Sequence, residues 1–131
     1  MICKNEMLNL ILKASPSFKP IWEEFLEEWK GENDLPLYLV LGDLARYIDF
    51  LVDKNNEREL VSIFEVVEKW HLEGDSYVKE AATIGLLEGL QNTNQTNSKK
   101  LNKIESYLLP ESKRWWNKVN EFWEKGKIIS E

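Results

Sequence analysis

The sequence contains few of the residues that form covalent cross-links and metal centres. Cys3 is its one cysteine and His71 its one histidine among 131 residues. A single cysteine excludes a disulfide within the chain, and one histidine without a spaced ligand partner cannot complete the usual zinc site. We therefore expect no bound metal and no other cofactor, and a fold that depends on its hydrophobic core.

Long uncharged hydrophobic runs are missing as well. No segment approaches the roughly 18 apolar residues that a membrane-spanning helix needs. The first residues lead into an amphipathic pattern that already contains Glu6, unlike the uninterrupted apolar stretch of a signal peptide. We expect a cytosolic protein that is monomeric when free and does not associate with membranes, and the unpaired thiol of Cys3 is compatible with that reducing compartment.

Recognisable catalytic motifs are also absent from the sequence. There is no Gly-rich phosphate loop, no metal-binding acidic loop, and no serine or cysteine that pairs with His71 in a known nucleophile pattern. His71 lies among apolar positions, which favours a core or edge histidine with one hydrogen bond. We predict no catalytic residues and a binding protein that is not an enzyme. A small hydrolase that uses an unrecognised carboxylate pair is the enzymatic alternative.

Hydrophobic residues at helical spacing are abundant. They make up 43% of the chain, with 11% aromatic residues, which is enough for a core and argues against disorder. Steps of three and four residues predict helices at 3–14, Pro20 to Gly31, 36–54, 57–73, 75–92, 99–108 and 110–125, the last followed by Gly126. No alternating run predicts a strand. We predict one all-α domain over residues 1–131, with six or seven helices packed as antiparallel hairpins in an irregular α-solenoid or bundle.

The junction of the fourth and fifth helices has clear stop and start signals. Gly74 ends the fourth helix and Asp75 caps the fifth, which is typical of an antiparallel hairpin with a very short loop. Within the fifth helix, Ala81, Gly85 and Gly89 recur every four residues. Because glycine inside a helix costs about 1 kcal/mol relative to alanine, we expect this face to permit close approach to another helix, with the third as the best candidate.

The charge of the chain is unevenly distributed. Residues 1–98 carry 9 basic and 18 acidic residues, a net charge of −9, whereas residues 99–131 carry 8 basic and 5 acidic residues, a net charge of +3. The acidic part would repel a phosphate backbone and would attract a basic protein. An acidic surface is equally typical of soluble proteins without such a partner.

A narrow polar strip crosses the third helix, which is otherwise apolar on nearly every side. It consists of Asp43, Arg46, Asp49 and Asp53. Buried charges need partners, so the strip must meet water, an internal cation or another protein. Glu88, next to Gly89 in the fifth helix, raises the same question. An internal ion pair, for example between Arg46 and Glu88, and a partner-binding surface are equally compatible with the sequence.

We predict that partner-binding residues come from this strip and from acids near it, with a neighbouring tyrosine as an aromatic anchor. They are Asp43, Tyr47, Asp49, Asp53, Glu57 and Glu88. The Glu-rich face of the second helix, within residues 23–28, is the second choice. Its carboxylates can steer an encounter from a distance while contributing little individually.

Two adjacent tryptophans near the C-terminus permit a nucleic-acid interpretation. Trp115 and Trp116 lie beside Lys113, Arg114 and Lys118, and aromatic residues next to cations can stack on bases. Their spacing on the last helix is more typical of core packing, and the acidic remainder of the chain disfavours nucleic acid. We predict core packing and no nucleic-acid partner.

Two stretches carry a resemblance to known families: residues 39–52 (LVLGDLARYIDFLV) and 74–92 (GDSYVKEAATIGLLEGLQN). The second is similar to the inner helix of HEAT-type repeats, with matches at Asp75, Val78, Lys79, Ala82 and Gly85. The similarity covers one hairpin and, loosely, the third helix. Together the stretches resemble small helical immunity proteins of bacterial toxin–immunity loci, including those of contact-dependent growth inhibition.

The resemblance implies a protein that binds a toxin domain in the cytosol and blocks its active site. If the toxin is a basic nuclease, the acidic surface would imitate the charge of its nucleic-acid substrate. We therefore expect a binding protein that neutralises a cognate basic toxin domain. The alternative is a HEAT-like scaffold or adaptor that binds another cytosolic protein.

Overall fold

The computed structural model describes residues 1–125, except for the side chain of Lys125. Its helices are α1 (Met7–Ala14), α2 (Lys19–Glu28), α3 (Leu37–Asp53), α4 (Glu57–Glu73), α5 (Ser76–Glu80), α6 (Glu88–Thr93), α7 (Ser98–Glu105) and α8 (Pro110–Lys125). A π-helical segment, Ala81–Leu87, joins α5 to α6, and 3-10 turns at Lys4–Glu6 and Pro16–Phe18 precede α1 and α2. The predicted stop at Gly126 lies outside the described residues.

The all-α prediction is confirmed. Counted with α5, the π segment and α6 as one continuous helix, the described residues form seven helices and no strand. A single isolated bridge pairs Ile2 with Gly74. None of the helices in the described part of the chain combines the length and the apolar character that crossing a bilayer requires.

The π segment is the main departure from the predicted helices. The sequence predicts one regular helix over residues 75–92, but seven residues, Ala81–Leu87, have π geometry. Five of these seven residues are buried, on more than one side of the segment. In a sequence, a π turn normally shows as a change in the spacing of the apolar residues along one helix face. Because apolar residues occupy more than one side of this segment, their spacing could not distinguish α-helical from π-helical geometry.

The hairpin between α4 and α5 forms at the predicted residues. The Asp75 carboxylate accepts a hydrogen bond from the Val78 backbone N–H at 2.9 Å and caps α5. A Cβ atom at Gly74 would lie 2.4 Å from the carbonyl oxygen of Trp70, so only glycine fits without displacement of the backbone. The turn also holds the N-terminus, because the Ile2 N–H donates to Glu73 O at 2.8 Å and the Asp75 N–H donates to Ile2 O at 2.9 Å.

Helix α3 lies at the centre of the fold. It contacts α2, α4, the π segment, α6 and α7. Its buried residues are Leu37, Val40, Leu41, Leu44, Ala45, Tyr47, Ile48, Leu51 and Val52. A helix covered on this many sides exposes little more than one strip to solvent. The predicted polar strip lies partly within that exposed region.

The small-residue face packs against α3 as expected. A Cβ atom at Gly85 would lie 2.7 Å from Cδ1 of Leu41, which is closer than two carbon atoms can approach without movement. A Cβ atom at Gly89 would lie 3.9 Å from Cβ of Ala45, which is an ordinary contact. Leu41 is fully buried. Gly85 is therefore the position where the two helices most need the absence of a side chain.

Helix α8 is attached to α4 through a carboxylate. Glu68 accepts hydrogen bonds from the backbone N–H groups of Glu111 and Ser112 at 3.0 and 2.8 Å, and from the Ser112 hydroxyl at 2.8 Å. It thus caps a helix N-terminus, where a negative charge is favourable. Trp116 and Val119 of α8 are buried in the core, in agreement with the predicted packing role of Trp116.

The contact at Gly85 predicts opposite effects for two glycine substitutions. Gly85→Leu should lower the free energy of unfolding by about 1–3 kcal/mol, because the new side chain overpacks the contact with Leu41. Gly89→Ala should leave it unchanged or raise it by up to about 1 kcal/mol, because the methyl group fits and alanine is the better helix former. Urea denaturation followed by circular dichroism measures both. Equal stability of Gly85→Leu and wild type would contradict the packing described here.

Candidate partner-binding surface

One part of the predicted strip faces solvent beside α2. Asp43, Arg46 and Phe50 follow each other at helical spacing on α3, and Arg46 and Phe50 are well exposed. The Asp43 carboxylate and the Arg46 guanidinium form an ion pair across three residues. The internal pair between Arg46 and Glu88, which the sequence left open as an alternative, does not form, because Arg46 pairs with Asp43. Glu88 is half-buried, and its side chain has no hydrogen bond or ion pair within residues 1–125.

The remaining acids of the prediction lie elsewhere and already have partners. Asp53 pairs with Lys100 of α7 at 3.0 Å, and Glu57 pairs with Lys103 of α7 at 3.4 Å. An open depression of about 720 Å³ lies beside these pairs, between the end of α3 and α7. The basic C-terminal part of the chain therefore neutralises two of the predicted acids. The exposed pair of Glu57 with Lys103 contributes about 0–1 kcal/mol, whereas the Lys100 side chain of the other pair is only 14% exposed.

Asp49 lies on another side of α3 and is half-buried. Its carboxylate accepts a hydrogen bond from Nδ2 of Asn94 at 2.9 Å. Burial raises the pKa of Asp49, the hydrogen bond from Asn94 and the charge of Lys100 oppose that rise, and the charge of Asp53 adds to it. Asp49 thus helps to fix the loop after α6. The structure does not bring it together with Asp43 on one surface.

Tyr47 is buried, so its prediction as an exposed aromatic anchor is wrong. The side chain points towards the Pro16–Phe18 turn, where its hydroxyl contacts the hydroxyls of Ser15 and Ser17 and the Glu59 carboxylate. The sequence predicted Tyr47 to lie on the strip because it is four residues after Asp43, which is one helical turn. Sequence spacing could not show that the turn after α1 folds over it.

Glu59 is the centre of this polar cluster. Its carboxylate accepts hydrogen bonds from the hydroxyls of Ser15 at 2.6 Å and Ser17 at 2.5 Å, and from Nδ2 of Asn56 at 2.7 Å. The bonds from Ser15 and Ser17 lower the pKa of Glu59, and those from Tyr47 and Asn56 lower it further, against the effect of burial. The cluster ties the turn before α2 to α3 and α4. A capping residue at 56 followed by a glutamate at 59 was the sequence signal for it.

An open cleft lies between α2 and α3. Its volume is about 450 Å³, and it is lined by Ile21, Asp43, Arg46, Tyr47 and Phe50. The Tyr47 ring is 5.3 Å from the Phe18 ring and 6.5 Å from the Phe50 ring, centroid to centroid. Phe50 is 52% exposed. The cleft thus combines apolar walls, a tyrosine whose hydroxyl is fixed by three neighbours, and one carboxylate.

Sequence reasoning missed Ile21 and Phe50 as members of this surface. Phe50 lies seven residues after Asp43 on the strip, which was a usable signal. Ile21 gave none, because its role depends on how α2 crosses α3. Phe50 is exposed and Ile21 is partly exposed beside a charged pair, which makes them better candidates for apolar anchors than the buried Tyr47.

The outer face of α2 carries carboxylates without internal partners. Its exposed glutamates are Glu23, Glu24, Glu27 and Glu28, and none of them forms an ion pair with a described residue. Helical spacing places Glu24 and Glu28 on the same side of α2 as the cleft residue Ile21. The Glu-rich face of α2, the second choice from the sequence, is therefore an acidic surface without compensation from described residues.

Ser112, His71 and Glu68 lie in contact, and the same three residue types form the catalytic triad of some hydrolases. His71 lies with Nδ1 at 3.0 Å from Val67 O and 3.2 Å from the Ser112 hydroxyl, and with Nε2 at 3.2 Å from the Thr83 hydroxyl. Ser112 is fully buried and donates its proton to Glu68. No substrate atom can reach it in this arrangement. The histidine has three polar neighbours where one was predicted, and the group joins α4, α8 and the π segment.

The described part of the chain lacks the donor set of a metal site. No three histidine, cysteine, aspartate or glutamate side chains come together there in a way that could hold an ion. The carboxylates of α2 point outwards along a helix. On α3, Asp43 and Asp53 are paired with cations of the chain and Asp49 is bonded to the amide of Asn94. The arrangement suits charge attraction and apolar contact more than ligand coordination.

Fold and surface together define an all-helical protein with a solvent-open cleft beside an acidic helix. The chain belongs to the family described as a domain of unknown function (DUF7674), whose family model matches residues 8–124. It matches no curated protein and no solved structure.

The environment of His71 predicts a defined dependence of stability on pH. Burial lowers the pKa of His71, against opposing effects of the bond to Val67 and of nearby acids, so the fold favours the neutral ring. Its contribution to the free energy of unfolding is complete above the ordinary value of 6.5 and is lost as pH falls through the lowered value. Urea denaturation should show a drop in stability between pH 7.5 and 5.5 that is smaller in His71→Asn.

A matched control separates this effect from general destabilisation. Ile63→Val removes one methyl group from the same helix, costs about 0.5–1.5 kcal/mol and leaves His71 in place. It should therefore show the full drop of the wild type. The same drop in His71→Asn as in Ile63→Val would contradict the assignment of the pH dependence to His71.

Proposed function

We propose that the chain is a binding protein that captures a basic protein domain through α2 and the α2–α3 cleft. The observation that carries the proposal is the group of uncompensated glutamates on α2 beside an exposed apolar cleft. The carboxylates would attract and orient the partner, and the cleft would supply the desolvated contacts. No chemical step is required of the chain.

The carboxylates and the apolar residues have different roles in binding. An exposed carboxylate contributes little to affinity on its own, because water and salt screen it. Several carboxylates of one sign on one helix raise the association rate of a basic partner, and this effect weakens when the Debye length shrinks below about 10 Å above 0.1 M salt. Affinity and residence time come from buried anchors, for which Ile21 and Phe50 are the candidates.

The proposed class of partner is a toxin domain whose active site the chain occludes. The support for this finer step is the resemblance of residues 39–52 and 74–92 to helical immunity proteins, together with the acidic balance of residues 1–98. A nuclease would suit the charge best, because its active site is built to hold an anion. A scaffold that binds another basic protein is the second candidate, favoured by the HEAT-like hairpin at α4 and α5.

The predicted acids of α3 and α4 have a smaller part in this proposal than the sequence analysis gave them. Asp53 and Glu57 contribute when a partner cation replaces Lys100 or Lys103, and each exchange gains little net charge attraction. Asp49 is unsuitable for a charge-reversal test, because a lysine there would be half-buried and would lose the bond to Asn94. Glu88 has no described ion pair and stays a candidate at the edge of α6.

The charge hypothesis predicts a large kinetic effect of reversing the α2 face. In the variant with Glu23, Glu24, Glu27 and Glu28 replaced by lysine, association with the cognate partner should slow by about tenfold or more at low salt. The rate difference should shrink as salt rises. Biolayer interferometry with the partner recovered from the native organism measures it, after circular dichroism has shown an intact fold.

The matched control has the same charge change on other faces, with Glu65, Glu73, Glu80 and Glu121 replaced by lysine. These four side chains are also exposed. Its association rate should stay within about threefold of wild type, because short-range steering depends on where the charges lie. Equal slowing of both variants, association indifferent to salt, or an acidic partner would refute the proposal. Loss of the partner's enzymatic activity on binding would separate toxin occlusion from scaffolding.

A further inference from the structure

The α2–α3 cleft already holds cations that belong to the chain itself. The Arg46 guanidinium pairs with the Asp43 carboxylate at the wall of the cleft. The ammonium group of Lys54 lies 5.6 Å from the centroid of the Phe50 ring. A carboxylate and an aromatic face are the two groups that bind a guanidinium best in proteins. The cleft therefore presents cation-binding chemistry beyond its apolar walls.

Its construction separates a fixed part from an exchangeable part. The Tyr47 hydroxyl is fixed by Ser15, Ser17 and Glu59, so its ring is a rigid floor. Arg46 is less constrained by comparison, since 67% of its side chain is exposed and its one described ion pair is with Asp43. Removing Arg46 from Asp43 leaves a carboxylate beside the exposed ring of Phe50 and the partly buried side chain of Ile21. The Lys54 ammonium, which lies over the Phe50 ring, also has to move aside.

We propose that this cleft accepts an arginine side chain of the basic partner, which replaces Arg46 at Asp43. The incoming guanidinium pairs with Asp43 and stacks on Phe50, and its aliphatic stem packs against Ile21. This inference rests on the proposed function and specifies the residue that anchors the partner. Arg46 acts as an internal competitor that keeps Asp43 compensated until the partner arrives.

Arginine fits the cleft better than lysine or a purely apolar side chain. A planar guanidinium can pair with a carboxylate through two parallel bonds and stack on an aromatic ring at the same time, whereas an ammonium group is a compact, strongly hydrated charge. An apolar side chain would pack on Phe50 but would not replace Arg46 in its ion pair with Asp43. The order of affinity is therefore arginine, then lysine, then norleucine.

The test uses the full chain and three small probes: the N-acetyl N-methylamides of arginine, lysine and norleucine. Chemical shifts in ¹⁵N and methyl NMR spectra should move at Ile21, Asp43 and Phe50 on addition of the arginine probe, with weaker changes for lysine. Arg46→Gln should tighten the apparent dissociation constant several-fold, because the competitor is gone. Asp43→Asn should weaken binding at least fivefold.

Arg58→Gln is the matched control, because it removes the same charge from an exposed arginine of α4 outside the cleft. It should leave the titration unchanged. Equal binding of norleucine and arginine, unchanged binding in Arg46→Gln, or tightening of the same size in Arg58→Gln would overturn the proposal. Shifts at the cleft that grow with protein concentration alone would identify a second copy of the chain as the occupant, with the same consequence.

The outcome is separable from the proposed function. With the cognate partner, Asp43→Asn and Phe50→Ala should accelerate dissociation, whereas reversal of the α2 glutamates should slow association. If only the α2 variant changes the kinetics, the partner is captured by charge and the arginine site is refuted. If neither changes them, both the site and the proposed surface fail.

Discussion

The close approach of the π segment to α3 is the contact on which the rest of the arrangement depends. Gly85 has no side chain, so the segment can lie against Leu41 of α3, and Gly89 continues the contact at Ala45. With α4, α6 and α7 also in contact, α3 keeps one main exposed strip beside α2. The location of the cleft follows from this burial, because the side chains that remain accessible on α3 are those that α2 does not cover.

Ion pairs within the chain neutralise several of its acidic residues, so the net charge alone does not show where the surface is acidic. The net charge of the first 98 residues suggested a continuous acidic surface. However, Lys100 and Lys103 of α7 form ion pairs with Asp53 and Glu57, and Arg46 forms an ion pair with Asp43. Four of the carboxylates that stay uncompensated lie together on α2, where no cationic helix packs over them. They place an acidic group on the edge next to the cleft, which favours oriented capture of a partner there.

Two partly buried polar clusters connect helices whose register hydrophobic packing alone would define less well. Glu59 joins α3 and α4 to the Pro16–Phe18 turn, and Glu68 with His71 joins α4 to α8 and the π segment. Hydrogen bonds to a charged group contribute about 1.5–3 kcal/mol, and leaving one member unpaired costs a similar amount. These groups therefore favour one arrangement of helices, and the first of them also holds the floor of the cleft.

The sequence by itself determined the helices and the hairpin turn, because apolar spacing, Gly74 and Asp75 act over a few residues of chain. It also determined that the small-residue face would meet another helix, since interior glycines need a packing reason. Tertiary structure decided the π geometry, the burial of Tyr47 and the separation of Asp49 and Asp53 from Asp43. It also decided which carboxylates are paired, since Lys100 and Lys103 reach acids more than 40 positions away in the chain. Local patterns fix which residues share a helix face, but only the crossing of helices fixes which faces are covered and which charges meet.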